Sequence, residues 1–200
     1  MKGRVGVLGG TFNPIHNAHI LIARTALRQF GLSQIILVPN GIPPNRRDEP
    51  RPGKEDRFHM VEAAVASEDR LAASRIEVDR EGPSYTIDTI RALKDDYPEG
   101  ICLIVGADCL VQIETWKEPE AILASVPLIV APRAGVPMPV FEQAPFLGAS
   151  ICTVDMPEVE LSSTVLRIMV RSGQSIGSSV PVEVEAYIAE HGLYRNTDDE

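Results

Sequence analysis

The first 40 residues restrict the fold more than any other part of the chain. Arg4 to Leu8 is a short apolar run with little alternation, closed by Gly9 and Gly10, which suits a strand buried on both faces that feeds a turn. From Asn17 to Phe30 the apolar residues Ile20, Ala23, Leu27 and Phe30 recur at helical spacing, with Asn17 as a candidate N-cap and Gly31 as a candidate stop. Gln34 to Val38 is a second buried run, ended by Pro39. Strand, helix and strand in so short a span make a βαβ unit, and a βαβ unit implies parallel strands.

The same alternation continues. The spacing predicts a helix over 54–67, a strand over 75–79, a helix over 86–96, strands over 101–105, 127–131 and 151–154, and two late helices over 163–171 and 182–191. The expected class is therefore α/β, a doubly wound parallel sheet with helices on both faces and helices at the C-terminal end. At 200 residues and 44% hydrophobic, the chain suits a single domain over 1–195 followed by a polar tail, 196–200. Residues 134–160 are Pro-rich and irregular to about Gly148 and, beyond the strand over 151–154, indicate no role.

Charge and cysteine usage narrow the function. A net charge of −9 argues against a nucleic-acid partner, which needs clustered Lys and Arg over a broad surface. The N-terminus lacks a signal-peptide pattern, and no run approaches the length a bilayer crossing needs, so a cytoplasmic protein with no membrane partner is expected. Cys102, Cys109 and Cys152 have no CxxC spacing, so neither a disulfide framework nor a thiolate metal site is suggested. Arg46, Arg47, Arg51 and Lys54 form a local basic cluster, which reads either as a solvated loop or as a contact for a small anion. A homo-oligomer is compatible with the sequence.

In open α/β sheets, ligands collect beyond the carboxyl ends of the strands. The segments to read for chemistry are Gly9 to His19, Asn40 to Arg47, Gly106 to Trp116, and Arg133. Gly9, Gly10 and Thr11 permit a sharp turn into a helix start, a natural place for phosphate. The turn is neither a Walker loop nor a GxGxxG fingerprint. His16 and His19 are three apart, so both rings can lie on one helix face; they can donate to phosphoryl oxygens, serve the structure, or bind a metal, although no third zinc ligand stands at a telling spacing. Ser162 can cap a helix that carries Arg167, whose planar fork suits phosphate oxygens as well as a plain surface position. Asp108 can accept from ribose hydroxyls, orient a turn or cap a helix. Trp116, the single tryptophan, can stack on a flat ring or belong to the core.

GGTFNPIHNAH (9–19) resembles the GGTFDPIHxGH signature of adenylyltransferases with a Rossmann-like fold, and LSSTVLR (161–167) resembles their second signature, ISSTxIR. Between and after them, PNGIPPNR (39–46), PSYT (83–86), GADCL (106–110), Trp116 and YIAEHGLY (187–194) stand in the order of the bacterial nicotinate-nucleotide adenylyltransferases. The resemblance covers nearly the whole chain. It implies attack by the 5′-phosphate of nicotinate mononucleotide on the α-phosphorus of ATP, giving nicotinate adenine dinucleotide and pyrophosphate, as a step of NAD biosynthesis.

The resemblance also implies a division of labour. His16, His19 and Arg167 are the expected catalytic residues. The ATP site is expected from Gly9, Gly10, Thr11, Phe12, His16, His19, Gly106, Asp108, Arg133, Ser162, Ser163, Thr164 and Arg167. The mononucleotide site is expected from Asn40, Arg46, Tyr85, Thr86 and Trp116. Mg²⁺ is expected with ATP, held mainly by the phosphates, with no dedicated protein site. Three positions depart from the pattern: Asn13 replaces Asp, Ala18 replaces Gly, and Asn45 replaces His. Two alternatives stand beside this reading: a same-fold transferase that prefers nicotinamide mononucleotide or phosphopantetheine, and a non-catalytic nucleotide-binding module.

Overall fold

A computed structural model describes residues 1–44, 52–157, 159 and 161–195. The elements in chain order are β1 (Val5–Gly10), α1 (Asn17–Gln29), β2 (Gln34–Pro39), α2 (Lys54–Val65), β3 (Leu71–Ala73), α3 (Thr86–Asp96), β4 (Ile101–Gly106), α4 (Ala107–Leu110), α5 (Pro119–Ser125), β5 (Leu128–Ala131), β6 (Ile151–Thr153), α6 (Ser163–Arg171) and α7 (Val182–Glu190). Two short 3-10 turns, Ile113–Thr115 and Met138–Glu142, complete the set. The six strands form one sheet in the order β3-β2-β1-β4-β5-β6. Chain order reverses at β1, which makes this the doubly wound arrangement expected from the alternating pattern.

Two compact units partition the chain: Met1–Gly9 with Ile22–Ile36 and Tyr85–Glu160, and Gly10–Leu21 with Leu37–Ser84 and Leu161–Glu200. In the first, β1, β4, β5 and β6 run parallel, with Val7 opposite Leu103, Leu103 opposite Leu128 and Leu128 opposite Ile151. Val5, Ile101, Ile104, Leu128, Ile129 and Val130 are almost wholly buried, as near-continuous apolar strands must be when both faces are covered. Because Leu8 pairs with Ile104 and Gly106 with Ala131, the carboxyl ends of β1, β4 and β5 share one edge.

In the second unit α2 packs against β3 and α7. Its buried stripe, Arg57, Met60, Val61 and Ala64, recurs at helical spacing, and Val184, Ile188 and Tyr194 are buried from the C-terminal end of the chain.

Helices α3 and α6 have the bounds read from the sequence, and α1 is stopped as expected at Gly31, whose φ is +61°. The third strand is a correction: it occupies Leu71–Ala73, not residues 75–79. The alternation of Ile76 and Val78 imitates a strand, but the Asp79 N–H donates to the Arg75 carbonyl at 2.8 Å and the Arg75 guanidinium bonds the Asp79 carboxylate. Both are i, i+4 contacts of a helical turn. In the irregular region, Phe141 and Phe146 meet edge to face, 5.0 Å between centroids, and are buried. Among the described residues no helix is long and apolar enough to cross a membrane.

Candidate functional site

The loop after β1 is shaped by Phe12 more than by the glycines. Gly9 and Gly10 lie within the strand, and the left-handed residue is Phe12, with φ +48°. A non-glycine residue in that region costs roughly 1–3 kcal/mol and persists only where its surroundings hold it. Here the Phe12 ring folds back over Gly10, so that a Cβ on Gly10 would meet ring carbons at 3.1 Å, and the ring is 3% exposed. A side chain at position 10 would therefore press on the Phe12 ring, which would have to give by a few tenths of an ångström. The Asn13–Pro14 peptide that follows is cis.

Helix α1 is capped by the histidine pair. The His16 carbonyl accepts from the N–H groups of His19 and Ile20, at 2.9 and 3.4 Å, and the His16 N–H donates to Nδ1 of His19 at 3.2 Å. His16 is thus the N-cap and His19, at the third helical position, returns the bond as the Glu of a capping box does. Asn17, read as the cap, instead donates its N–H to Ser179 O and its Nδ2 to Ser178 O, at 2.9 and 3.2 Å. The two imidazoles stack with centroids 3.7 Å apart, and Phe12 meets His19 edge on. Since Nδ1 of His19 accepts, the neutral ring carries its proton on Nε2. His16 is buried and His19 half-buried.

Helix α6 is fastened to the same loop. Arg167 donates from Nη1 to the Asn13 carbonyl at 2.9 Å and from Nη2 to Thr164 Oγ1 at 3.3 Å, and Ser163 Oγ donates to the Pro14 carbonyl at 2.9 Å. Ser162 occupies the N-cap position with extended backbone and its carbonyl accepts from Leu166, yet its side chain makes no capping bond. The expected side-chain cap is therefore absent, and the hydroxyl engaged in fixing this helix belongs to Ser163.

Asn40, just after β2, donates its N–H to Gly10 O at 3.0 Å and its Nδ2 to Thr11 Oγ1 at 3.1 Å. Beneath both lies Arg57, a residue with no exposed surface. One of its terminal nitrogens donates to Thr11 O, Asn40 O and Asn40 Oδ1, at 3.0, 2.6 and 2.9 Å, and the other to Gly41 O at 2.8 Å. Through three separate sets of contacts, the structure thus gathers Gly10, Thr11, Phe12, His16, His19, Asn40, Ser163 and Arg167 on or against the one connection from β1 to α1. Arg46 and Asn45, with Arg47 and Arg51 of the basic cluster, lie outside the described residues; Lys54 donates to Val78 O at 2.6 Å.

In the other unit, Gly106 ends β4 and opens α4, and Asp108 is exposed with Oδ2 3.7 Å from Arg133 Nε, beyond β5. Arg133 also donates to Val159 O at 3.3 Å. Gly9 is exposed at the end of β1, with open space where a side chain would be.

Tyr85 is the N-cap of α3 and Thr86 its first residue. The half-buried Trp116 ends the first 3-10 turn, and the next residue, Lys117, lies 4.7 Å over the Tyr85 ring and 3.0 Å from the Asp88 carboxylate. Arg91 pairs with Glu118 at 2.6 Å, and this guanidinium holds the Glu118 carboxyl below its usual range. Tyr85, Thr86 and the Trp116 segment are therefore fastened together by neighbouring ion pairs.

Three residues of this architecture have no role assigned by the motifs: Arg57 and Lys117 lie outside them, and Tyr194 closes YIAEHGLY (187–194). Arg57 had a signal, because it falls on the apolar stripe of α2, where a charged side chain must find buried partners. For Tyr194 and Lys117 nothing in the local pattern names the partner, since each acts on a residue distant in sequence. Among the described residues no cluster of three or more His, Cys, Asp or Glu is placed to hold a metal.

The cytidylyltransferase-like family model matches residues 7–168. A protein of Synechococcus sp. (strain JA-3-3Ab) named "Probable nicotinate-nucleotide adenylyltransferase" is 41% identical over 195 residues, spanning 96% of this chain and 94% of its own. One of the same name from Moorella thermoacetica is 39% identical over 200 residues, spanning 96% and 92%. The structure of Plasmodium falciparum nicotinic acid mononucleotide adenylyltransferase complexed with NaAD superposes with a TM-score of 0.79 over 96% of this chain and 97% of that one; at 16% identity, this likeness shows the fold. With a family match over most of its length and relatives this similar from end to end, the chain belongs to the cytidylyltransferase-like family and, within it, to the nicotinate-nucleotide adenylyltransferases.

Proposed function

We propose that the chain transfers the adenylyl group of ATP to nicotinate mononucleotide, forming nicotinate adenine dinucleotide and pyrophosphate in NAD biosynthesis. The observation that carries the reading is the single loop on which the stacked His16 and His19 and the braced Arg167 converge. A 5′-phosphate oxygen of the mononucleotide forms a bond to the α-phosphorus, and the bond from that phosphorus to the α,β-bridging oxygen breaks, its electron pair leaving with pyrophosphate. Such a transfer asks the protein to align two anions and to stabilise charge on the non-bridging oxygens.

In this reading His16 and His19 donate to the ATP phosphates, the latter through Nε2–H, and Arg167 holds the leaving pyrophosphate. Gly9, Gly10, Thr11 and Phe12 offer backbone to the nucleotide, and Ser162, Ser163 and Thr164 present the start of α6 to phosphate. Gly106 and Asp108 serve the ATP ribose, and Arg133 the phosphates. Asn40, Arg46, Tyr85, Thr86 and Trp116 serve the mononucleotide, with Trp116 stacked on the pyridine ring. Mg²⁺ enters as part of the MgATP substrate: imidazole, guanidinium and backbone N–H groups are donors for phosphate oxygens rather than ligands for a hard cation.

The relatives matched along 96% of the chain support taking 1–195 as one nucleotidyltransferase domain. Soluble nucleotide substrates suit a cytoplasmic enzyme. The test is to incubate the protein with ATP, Mg²⁺ and either nicotinate or nicotinamide mononucleotide and to resolve the dinucleotides formed. Faster turnover of the amide overturns the substrate assignment, and absence of both products overturns the reaction.

A further inference from the structure

Among the described residues Arg57 is the largest side chain with essentially no exposed surface. Burying a guanidinium is costly before its bonds are counted, and an apolar residue of like size generally serves stability as well or better. Where its donors go is therefore informative. Besides Thr11, Asn40 and Gly41, Nε donates to Pro52 O at 3.3 Å. Every one of these acceptors belongs to a connection: Thr11 follows β1, Asn40 and Gly41 follow β2, and Pro52 precedes α2.

We propose that Arg57 is a positioning residue for the transfer, setting the Gly10–Thr11 turn and the Asn40 amide in one shared arrangement. The inference rests on the adenylyl-transfer reading, in which that turn serves ATP and Asn40 the mononucleotide. The guanidinium has donors only, so the Asn40 atom 2.9 Å away is the amide oxygen. That choice directs the NH₂ of Asn40 to Thr11 Oγ1 and leaves its second N–H to an acceptor on the mononucleotide. A planar fork fixes several acceptor directions at once, whereas an ammonium on a flexible stem does not. Arg57 thereby makes the geometry on the ATP side depend on the geometry on the mononucleotide side.

The test uses Arg57→Lys, Asn40→Ala and the double variant of the full chain, assayed well below their melting transitions with circular dichroism to establish folding. For Arg57→Lys the expectation is a rise of about tenfold in the mononucleotide KM with a fall of about tenfold in kcat, the pattern of lost alignment rather than lost protein. In the Asn40→Ala background the same change shifts the mononucleotide KM by no more than about twofold, because the amide it orients is gone. A folded Arg57→Lys with wild-type kcat and KM, or fold-changes that simply multiply in the double variant, overturns the inference.

Should Arg57→Lys not fold, Thr11→Val removes the acceptor of the Asn40 amide while Arg57 stays. It raises the mononucleotide KM by about threefold or more if the network matters, and wild-type values overturn it. A wild-type protein that makes no dinucleotide defeats the adenylyl-transfer reading and this inference together. A wild-type protein that makes it, beside unaffected variants, defeats this inference alone.

Discussion

The Tyr194 hydroxyl donates to Asn13 Oδ1 across 2.7 Å, a buried bond between residues 181 apart in the chain. Tyr194 has no exposed surface and takes a left-handed backbone, φ +63°. Asn13 holds the loop from both of its carbonyls, since the backbone one accepts from Arg167. This gives the Asn in GGTFNP a physical account. A hydroxyl donor is satisfied by an amide oxygen as well as by a carboxylate, so the position that carries Asp in the resembled signature keeps its anchor here without adding a negative charge where phosphates are proposed to bind.

Tyr194→Phe keeps the buried ring and deletes only that donor. The expected loss is about 1–2 kcal/mol of unfolding free energy, read as a lower urea midpoint with an unchanged m-value. An unchanged midpoint would mean that the bond contributes nothing net.

His19→Ala removes a half-buried ring that accepts from the His16 N–H, stacks on the His16 ring and meets Phe12 edge on. The stability cost should stay near 1 kcal/mol, while turnover falls by about a hundredfold or more if its Nε2–H meets charge that develops in the transition state. Melting and kcat measured on the same preparation separate the two effects. Wild-type turnover in the folded variant removes His19 from the mechanism.

The contrast between these residues explains what the sequence could disclose. His16 and His19 were legible as a pair because three-residue spacing at a helix start puts both rings on one face, and α3 and α6 were legible because their apolar period and boundary residues agree. The turn before them was misread in detail: two glycines drew attention to themselves, while the left-handed residue is Phe12, whose ring packs closely over Gly10. Arg57 showed only as a charge on an apolar stripe; its role stayed hidden because all but one of the acceptors named above are backbone carbonyls, which no residue type announces. Tyr194 was visible as the end of YIAEHGLY, but its role was not, because its partner lies at the other end of the chain. Periodicity reports burial and local geometry; it carries nothing about which loop a buried donor will hold.

Gly41 lies between Asn40 and its support. Its N–H donates to Ser84 Oγ at 2.9 Å, its carbonyl accepts from Arg57, and a Cβ would stand 2.6 Å from the Glu77 carbonyl oxygen. A backbone oxygen cannot step aside as a side-chain tip can, so in Gly41→Ala the chain at Asn40 must move. The expected cost is about 1–3 kcal/mol, accompanied by a higher mononucleotide KM. Wild-type stability and KM in this variant would show that the connection is free to shift.

Alkaline stability supplies a test that is independent of the reaction. Cys102 lies on β4 with no exposed surface, and its thiol contacts Val5 O at 3.6 Å. Burial, which disfavours the thiolate, pushes it up to about 11 from an ordinary value of 9.0. Below pH 9 the thiol is protonated in folded and unfolded chains alike, and its contribution is fully present. Between pH 9 and 11 the unfolded chain gives up the proton that the folded chain keeps, so stability falls as pH rises through that window. Tyr187, raised to about 12 by burial and by its bond to the Asp56 carboxylate, adds a later decline. Cys102→Ala should therefore flatten the curve of urea midpoint against pH between 9 and 11 and leave the Tyr187 decline in place. Wild type and variant falling in parallel across that interval would mean that the Cys102 thiolate forms as readily inside the sheet as outside it.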